Sequence, residues 1–542
     1  MKKVLIICLF MIVFLVGCGG PTPPDGPVID ELKVSEVSDS IDILYASLPE
    51  IEYSDEKVQA EIERIRGLYE ELTADEKALI TNFSDFEEIE KQYNDYKDKV
   101  AAEEAEKAKI EKAVAEAVAL VEETVPRKST GENLELPTSY ISEEGVNVYI
   151  GWTTDDPATI TNKGMVTQPR KVAKAVNLVA VCRSGDVSQK ITKRVTVGPL
   201  AYEMLPEKPV FAYYYSNQRA LTEIERKTIN VIILSFGNIA DDGTVSVGGL
   251  NYETVLQERK HGIRVCFSVQ NKEGFKKWTT SAANREKLAQ SFLDTCEKYH
   301  FDGVDIDWEY PESGTEVSNY VDFMRILYNK FKAANGNYIV SSAMYGGNGV
   351  PKYNAGESCK YMDYVHLMTY DLNAKELSTH LTALSTGYAS SISVESTIAF
   401  YIGAGVPKEK ITIGGAFYGK VYDLSASGTN FLRQAPIKDP YTIVYSQIKE
   451  NYLSKLDGSD SNIKVVREWD SAANAPYLCI TEYSGGIATG RKFITYDDAE
   501  SLKLKSEFVF NNDLGGIMFW DLGYEHRETN DLVQAIYNVF YK

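Results

Sequence analysis

The sequence predicts an α/β fold: a (β/α)8 TIM barrel with an α+β insertion, preceded by a small β-sandwich and an N-terminal helical module. Three observations carry this. Eight short apolar runs alternate with helical stretches from about residue 205 to 542, the spacing of repeated βα units. The gap between the seventh and eighth runs is too long for one helix, so an inserted lobe belongs there. Ahead of the barrel the pattern changes at Pro126, where a helical rhythm gives way to short strand-like runs.

Lys2 and Lys3 precede an apolar run, Val4 to Val16, too short to span a bilayer comfortably but suited to a signal peptide. The run ends in Leu15-Val16-Gly17-Cys18, which resembles the lipobox of bacterial lipoproteins. The resemblance implies removal of residues 1–17, lipidation of Cys18, and a protein anchored to the bacterial membrane outside the cytoplasm. Residues 18–27, rich in Gly and Pro, read as a tether. The formal charge of −21 disfavours nucleic acid as a partner. Beyond Cys8 and Cys18, the cysteines Cys182, Cys266, Cys296, Cys359 and Cys479 form no CxxC pair and read as single buried thiols.

Residues 28–124 are acidic and helical: Ile62, Ile65, Tyr69 and Leu72 share one helix face. Thr73-Ala74-Asp75-Glu76 reads as a capping box opening a helix that carries Leu79, Ile80 and Phe83, and a further helix is expected over 95–123. The segment resembles helical spacers of Gram-positive surface proteins. Residues 127–200 carry β-like runs such as Val146–Trp152 and Val176–Val181. The run Trp152–Pro157 with Gly164 and Val166 resembles bacterial immunoglobulin-like modules, so this β-sandwich too is expected to space or present a domain.

The barrel, 205–542, is expected to take its strands from Val210–Tyr215, Val231–Phe236, Ile263–Val269, Gly303–Trp308, Tyr338–Met344, Tyr364–Thr369, Ile411–Phe417 and Gly516–Trp520, with an insertion at about 421–490. The segment Phe301-Asp302-Gly303-Val304-Asp305-Ile306-Asp307-Trp308-Glu309-Tyr310-Pro311 carries the chemistry. Along a strand Asp305, Asp307 and Glu309 share one face, while Ile306 and Trp308 take the other. The apolar interleaving argues against a calcium loop, and no metal is expected. Three carboxylates on one interior face cannot all ionise cheaply, so at least one holds a proton near neutral pH. Glu309, nearest the strand's open end, is the natural general acid.

This segment matches the DxxDxDxE signature of glycoside hydrolase family 18, and the resemblance extends over residues 205–542. It implies binding roles for Tyr213 and Phe236 on the first two strands, and for Met368, Tyr370 and Asp371 after the sixth. Tyr418 and Trp520 follow on the seventh and eighth, Trp520 as the floor under the sugar. Glu468-Trp469-Asp470 resembles the family's insert. The third strand departs from the family's Ser-x-Gly-Gly: it reads Ser268-Val269-Gln270-Asn271, keeping the serine that would hydrogen-bond an aspartate but replacing two glycines. The implied mechanism needs no cofactor, because the substrate's N-acetyl oxygen is the nucleophile. Glu309 would protonate the leaving oxygen, Asp307 would orient the acetamido group, Asp305 would share a proton with Asp307, and Tyr370 would hold the acetamido oxygen. The expected substrate is a β-1,4-linked N-acetylglucosamine polymer. The alternatives are an endo-β-N-acetylglucosaminidase acting on N-glycans and a carbohydrate-binding lectin without turnover.

Overall fold

The computed structural model describes residues 28–47 and 51–542. The expected signal peptide, Cys18 and the tether lie outside the described residues. The chain divides into two compact units, one reaching to Ala115 with Ile141–Val146, the other comprising Glu116–Tyr140 and Asn147–Lys542.

The first unit is built on α1 (Glu31–Ala46), α2 (Glu56–Glu70), the single turn α3 (Ala74–Lys77) and the first part of α4, which runs from Phe83 to Thr124. Val37 and Ile41 of α1, Ile62 and Ile65 of α2, and Phe86 and Ile89 of α4 make one core. The capping box forms as expected: Glu76 N–H donates to Thr73 Oγ1 and Thr73 N–H to Glu76 Oε2. The helix it opens nevertheless stops after one turn. Asn82 donates through its side chain to Ser38 O (2.9 Å) and Asp42 Oδ1 (2.7 Å), fixing a corner that outweighs local propensity. Leu79 is therefore exposed, and Phe83 opens α4 twelve residues before the expected start at Asp95.

In the second unit, the strands Asn147–Thr154, Lys174–Ser184 and Val187–Val197 form the centre of one five-stranded sheet. Val148, Ile150 and Trp152 are buried while their neighbours are more exposed, the period of two that a one-sided core imposes. Two facing sheets were expected; the second is reduced to an isolated bridge between Ile160 and Val166.

The barrel follows. Its strands are β1 (Val210–Tyr214), β2 (Val231–Ile239), β3 (Arg264–Val269), β4 (Gly303–Ile306), β5 (Ile339–Tyr345), β6 (Tyr364–Met368), β7 (Ile411–Ala416) and β8 (Gly516–Trp520). Each pairs in parallel with the next and β8 pairs with β1, closing a (β/α)8 TIM barrel. Outward-facing Val304, Ile306 and Trp308 join Phe267, Phe292 and Phe323 in the main core, whereas Phe211, Tyr213, Cys266 and Met518 fill the interior. The β4 ladder ends at Ile306, short of the expected Trp308. Asp307 N–H still donates to Val269 O (3.1 Å), and the chain then turns away from the sheet.

The insertion starts directly after β7. Its five antiparallel strands, Tyr441–Val444, Tyr418–Leu424, Ile487–Tyr496, Ala475–Ser484 and Ile463–Asp470, stand in that spatial order. Behind them, the fully buried Lys505 ammonium donates to both oxygens of Asp497 (2.6 and 2.8 Å) and to Thr382 Oγ1 (2.6 Å). Asp497 also accepts from Ala416 N–H (2.9 Å), so the buried charges are satisfied and tie the return of the insertion to β7.

The small sheet module and the barrel interlock at the N-terminal end of β4. Asp302, fully buried, accepts two hydrogen bonds from Arg170 of the module (2.7 and 3.0 Å), one from Val265 N–H (2.9 Å), and pairs with Arg259 (3.3 Å). Arg259 also donates to Gln168 O (2.8 Å), and His300 shares a 2.8 Å hydrogen bond with Thr159. The module expected as a spacer thus supplies a counter-charge to the first aspartate of the signature.

Candidate active site

At the opposite end of β4 the acids meet their partners. Barrel register sets Ser268 of β3 and Ser341 of β5 directly beside Asp305. Both hydroxyls donate to its carboxylate (2.8 and 2.7 Å), as does Tyr213 of β1 (3.0 Å). Burial pushes the Asp305 carboxyl up to about 6, even though these three donors pull it down. Asp307 is 3% exposed. Burial, with the charges of Glu309 and Asp305, drives its carboxyl well above the usual range. Its Oδ1 is buried and has no hydrogen-bond partner among the described residues. Glu309 is half-buried at the mouth, where Gln270 Nε2 donates to its Oε1 (2.7 Å) and reaches Asp307 Oδ2 (3.4 Å).

Asp307 and Glu309 form one wall of a cavity of about 370 Å³. Tyr213, Phe236, Met368, Tyr370, Asp371, Tyr418 and Trp520, all singled out from sequence, line the same cavity. The Trp520 ring stacks with Phe236 (5.6 Å) and Tyr215 (5.7 Å), a continuous aromatic surface suited to a sugar face. Tyr370 meets Tyr418 edge-on at 5.9 Å, and Asp371, with φ of 54°, pairs with Lys420 (3.4 Å). Tyr310 and Tyr345 meet edge-on at 5.2 Å beside Glu309.

Ser268 and Asp305 are not on the cavity wall; they sit behind Asp307. Ser268 therefore cannot touch a bound ligand as a binding residue would, and its contact is the aspartate. Asp470 of the insertion is hydrogen-bonded to His380 of the β6–β7 connection (3.0 Å) and does not line the cavity. Sequence reasoning missed Ser341, Tyr215 and Tyr345. Their signal was parity: Ser341, Ala343 and Tyr345 alternate along β5 as Asp305 and Asp307 do along the β4 segment. Among the described residues no group of His, Cys, Asp or Glu is arranged to hold a metal ion.

Comparison with known proteins supplies the family. Residues 210–525, more than half of the chain, match the model of glycosyl hydrolases family 18. The chain belongs to glycosyl hydrolases family 18. Residues 112–200 match the atrophied bacterial Ig domain, in keeping with the missing second sheet. Over 321 residues this family 18 chain is 28% identical to Chitinase A1 of Niallia circulans, covering 52% of this chain and 43% of that relative. Chitinase B of Serratia marcescens is 28% identical over 364 residues, covering 54% and 70%. The chain therefore spans less than half the length of the first relative and about two thirds of the second. Among solved structures, a glycoside hydrolase family 18 N-acetylglucosaminidase from Paenibacillus barengoltzii aligns with a TM-score of 0.54 at 27% identity, over 61% of this chain and all of that one. A class V chitinase from Nicotiana tobaccum in complex with NAG4 shares the fold, with a TM-score of 0.53 at 17% identity.

Proposed function

We propose that the chain is a lipid-anchored, extracytoplasmic glycoside hydrolase that cleaves β-1,4 linkages of N-acetylglucosamine polymers by substrate-assisted retention. The observation that carries this reading is Asp307, a buried carboxyl held well above its ordinary range, standing beside Glu309 in the wall of an aromatic-lined cavity. A desolvated carboxyl in such a wall is stabilised in its ionised form when a ligand donates to it, and an acetamido N–H is such a donor. Glu309, at the mouth, protonates the leaving glycosidic oxygen and then activates water from the same side. Meanwhile the acetamido oxygen, held by Tyr370, closes an oxazolinium whose charge Asp307 offsets. Asp305 stays behind Asp307 as its proton partner.

The test is incubation with chitooligosaccharides and, separately, a high-mannose glycopeptide, with mass spectrometry of the products. Cleavage of chitooligosaccharides, and a loss of about 10²–10⁴ in kcat for Glu309→Gln with sugar binding retained, are expected. Cleavage of the glycopeptide alone would replace the substrate class, and binding without any product would replace the enzyme with a lectin. Efficient hydrolysis of plain cellooligosaccharides, which lack the acetamido group, would defeat the mechanism.

A further inference from the structure

Gln270 occupies a place that the proposed mechanism has not used. It follows β3 at the height of Asp307 and lines the cavity. Through one amide nitrogen it spans two carboxylates, Glu309 Oε1 at 2.7 Å and Asp307 Oδ2 at 3.4 Å. It meets Glu309 from the end of the third strand, across from the Tyr310 hydroxyl on the acid's own segment, and a glycine at this position could offer no donor.

We infer that Gln270 is a positioning residue that holds the Glu309 carboxyl toward the cavity and sets the alkaline limit of activity. An amide N–H can only donate, so it favours the ionised form of a carboxyl it touches. The titratable groups facing Glu309 are Asp307 from its own segment, Tyr310 beside it and Tyr370 from the end of β6, with Lys352 over the Tyr310 ring at 5.1 Å. Burial, with the charges of Glu309 and Asp305, holds the Asp307 carboxyl well above its ordinary range. By donating to both carboxyls, Gln270 favours their ionised forms and so brings the alkaline limb of the pH–rate profile to lower pH. The same bond fixes the side chain that must deliver the proton, so its removal costs turnover more than binding.

This inference rests on the hydrolase reading, and its test separates the two. Gln270→Met keeps the length of the side chain and removes the donor; Gln270→Asn keeps an amide too short to reach Glu309. Hydrolysis of a fluorogenic diacetylchitobioside by both variants should show kcat reduced about tenfold with KM nearly unchanged. The alkaline limb of kcat/KM should move up by about half a unit to one unit. Infrared titration of the acid pair, isolated by subtracting the Glu309→Gln spectrum, reads the same shift without turnover. It therefore remains decisive even if the fluorogenic sugar is not the substrate. Profiles and titration curves that coincide with those of the unaltered protein would overturn the role of Gln270.

Discussion

Asp305 shows how a single buried carboxyl is tuned by neighbours that local sequence does not reveal. Its three hydroxyl donors come from three different strands, and each favours the ionised form against the cost of burial. With the carboxyl at about 6, activity should fall on the acid side as this group takes up a proton and no longer balances its neighbour. Ser341→Ala deletes a donor to the anion, so the folded-state value must rise and the acid limb of kcat/KM must move to higher pH. A pH–rate profile checks this, and a limb that stays in place or moves down would show that Asp305 does not govern it. The loss of a hydrogen bond to a charged group should cost roughly 1.5–3 kcal/mol in stability of the ionised site.

Among the elements, β4 is held at both ends, by the acids at its C-terminal mouth and by Asp302 at its base. Burial pushes Asp302 up, but Arg259 and Arg170 outweigh it and hold the carboxyl below its ordinary range. Burial lowers His300 from 6.5 to about 4. A folded value below the unfolded one means that the contribution of His300 is whole above about 6.5 and is lost as pH falls toward 4. Asp302 acts in the same direction at lower pH. Arg170→Ala should therefore destabilise the second unit by about 3 kcal/mol, since a buried carboxylate loses its bidentate partner, as read from the denaturation midpoint. In the unaltered protein, hydrogen exchange over residues 156–170, corrected for intrinsic rate, should quicken between pH 6.5 and 4.5. Protection that stays constant through that window would show that the interlock does not depend on these groups.

For the whole molecule, compartment is the open proposal. If Leu15–Cys18 is processed as a lipobox, Cys18→Ala should abolish incorporation of labelled palmitate and leave the protein soluble or unprocessed in cell fractionation. Labelling that persists in the variant would remove the anchor. Much of the architecture was legible in the chain because the barrel is written in local periodicity: all eight strands lie within a few residues of their apolar runs. Alternation along one strand likewise placed Asp305 and Asp307 on a common face. What alternation cannot convey is which residue of the next strand stands alongside, a matter of barrel register. Ser341 opposite Asp305 and Gln270 beside Glu309 are products of that register. The single turn after Thr73 was missed for a related reason, since it depends on contacts distant in sequence, those of Asn82.

The bond between Arg170 and Asp302 has a consequence for inheritance. Residues separated by more than a hundred positions, in two segments matched by two different family models, share one buried ion pair. Neither can drift alone without stranding a charge, so recombination that cuts near residue 205 divides what selection must keep together. The sheet module and the barrel are thus expected to travel through evolution as one heritable block, and a graft of this barrel onto a new carrier should begin ahead of residue 127.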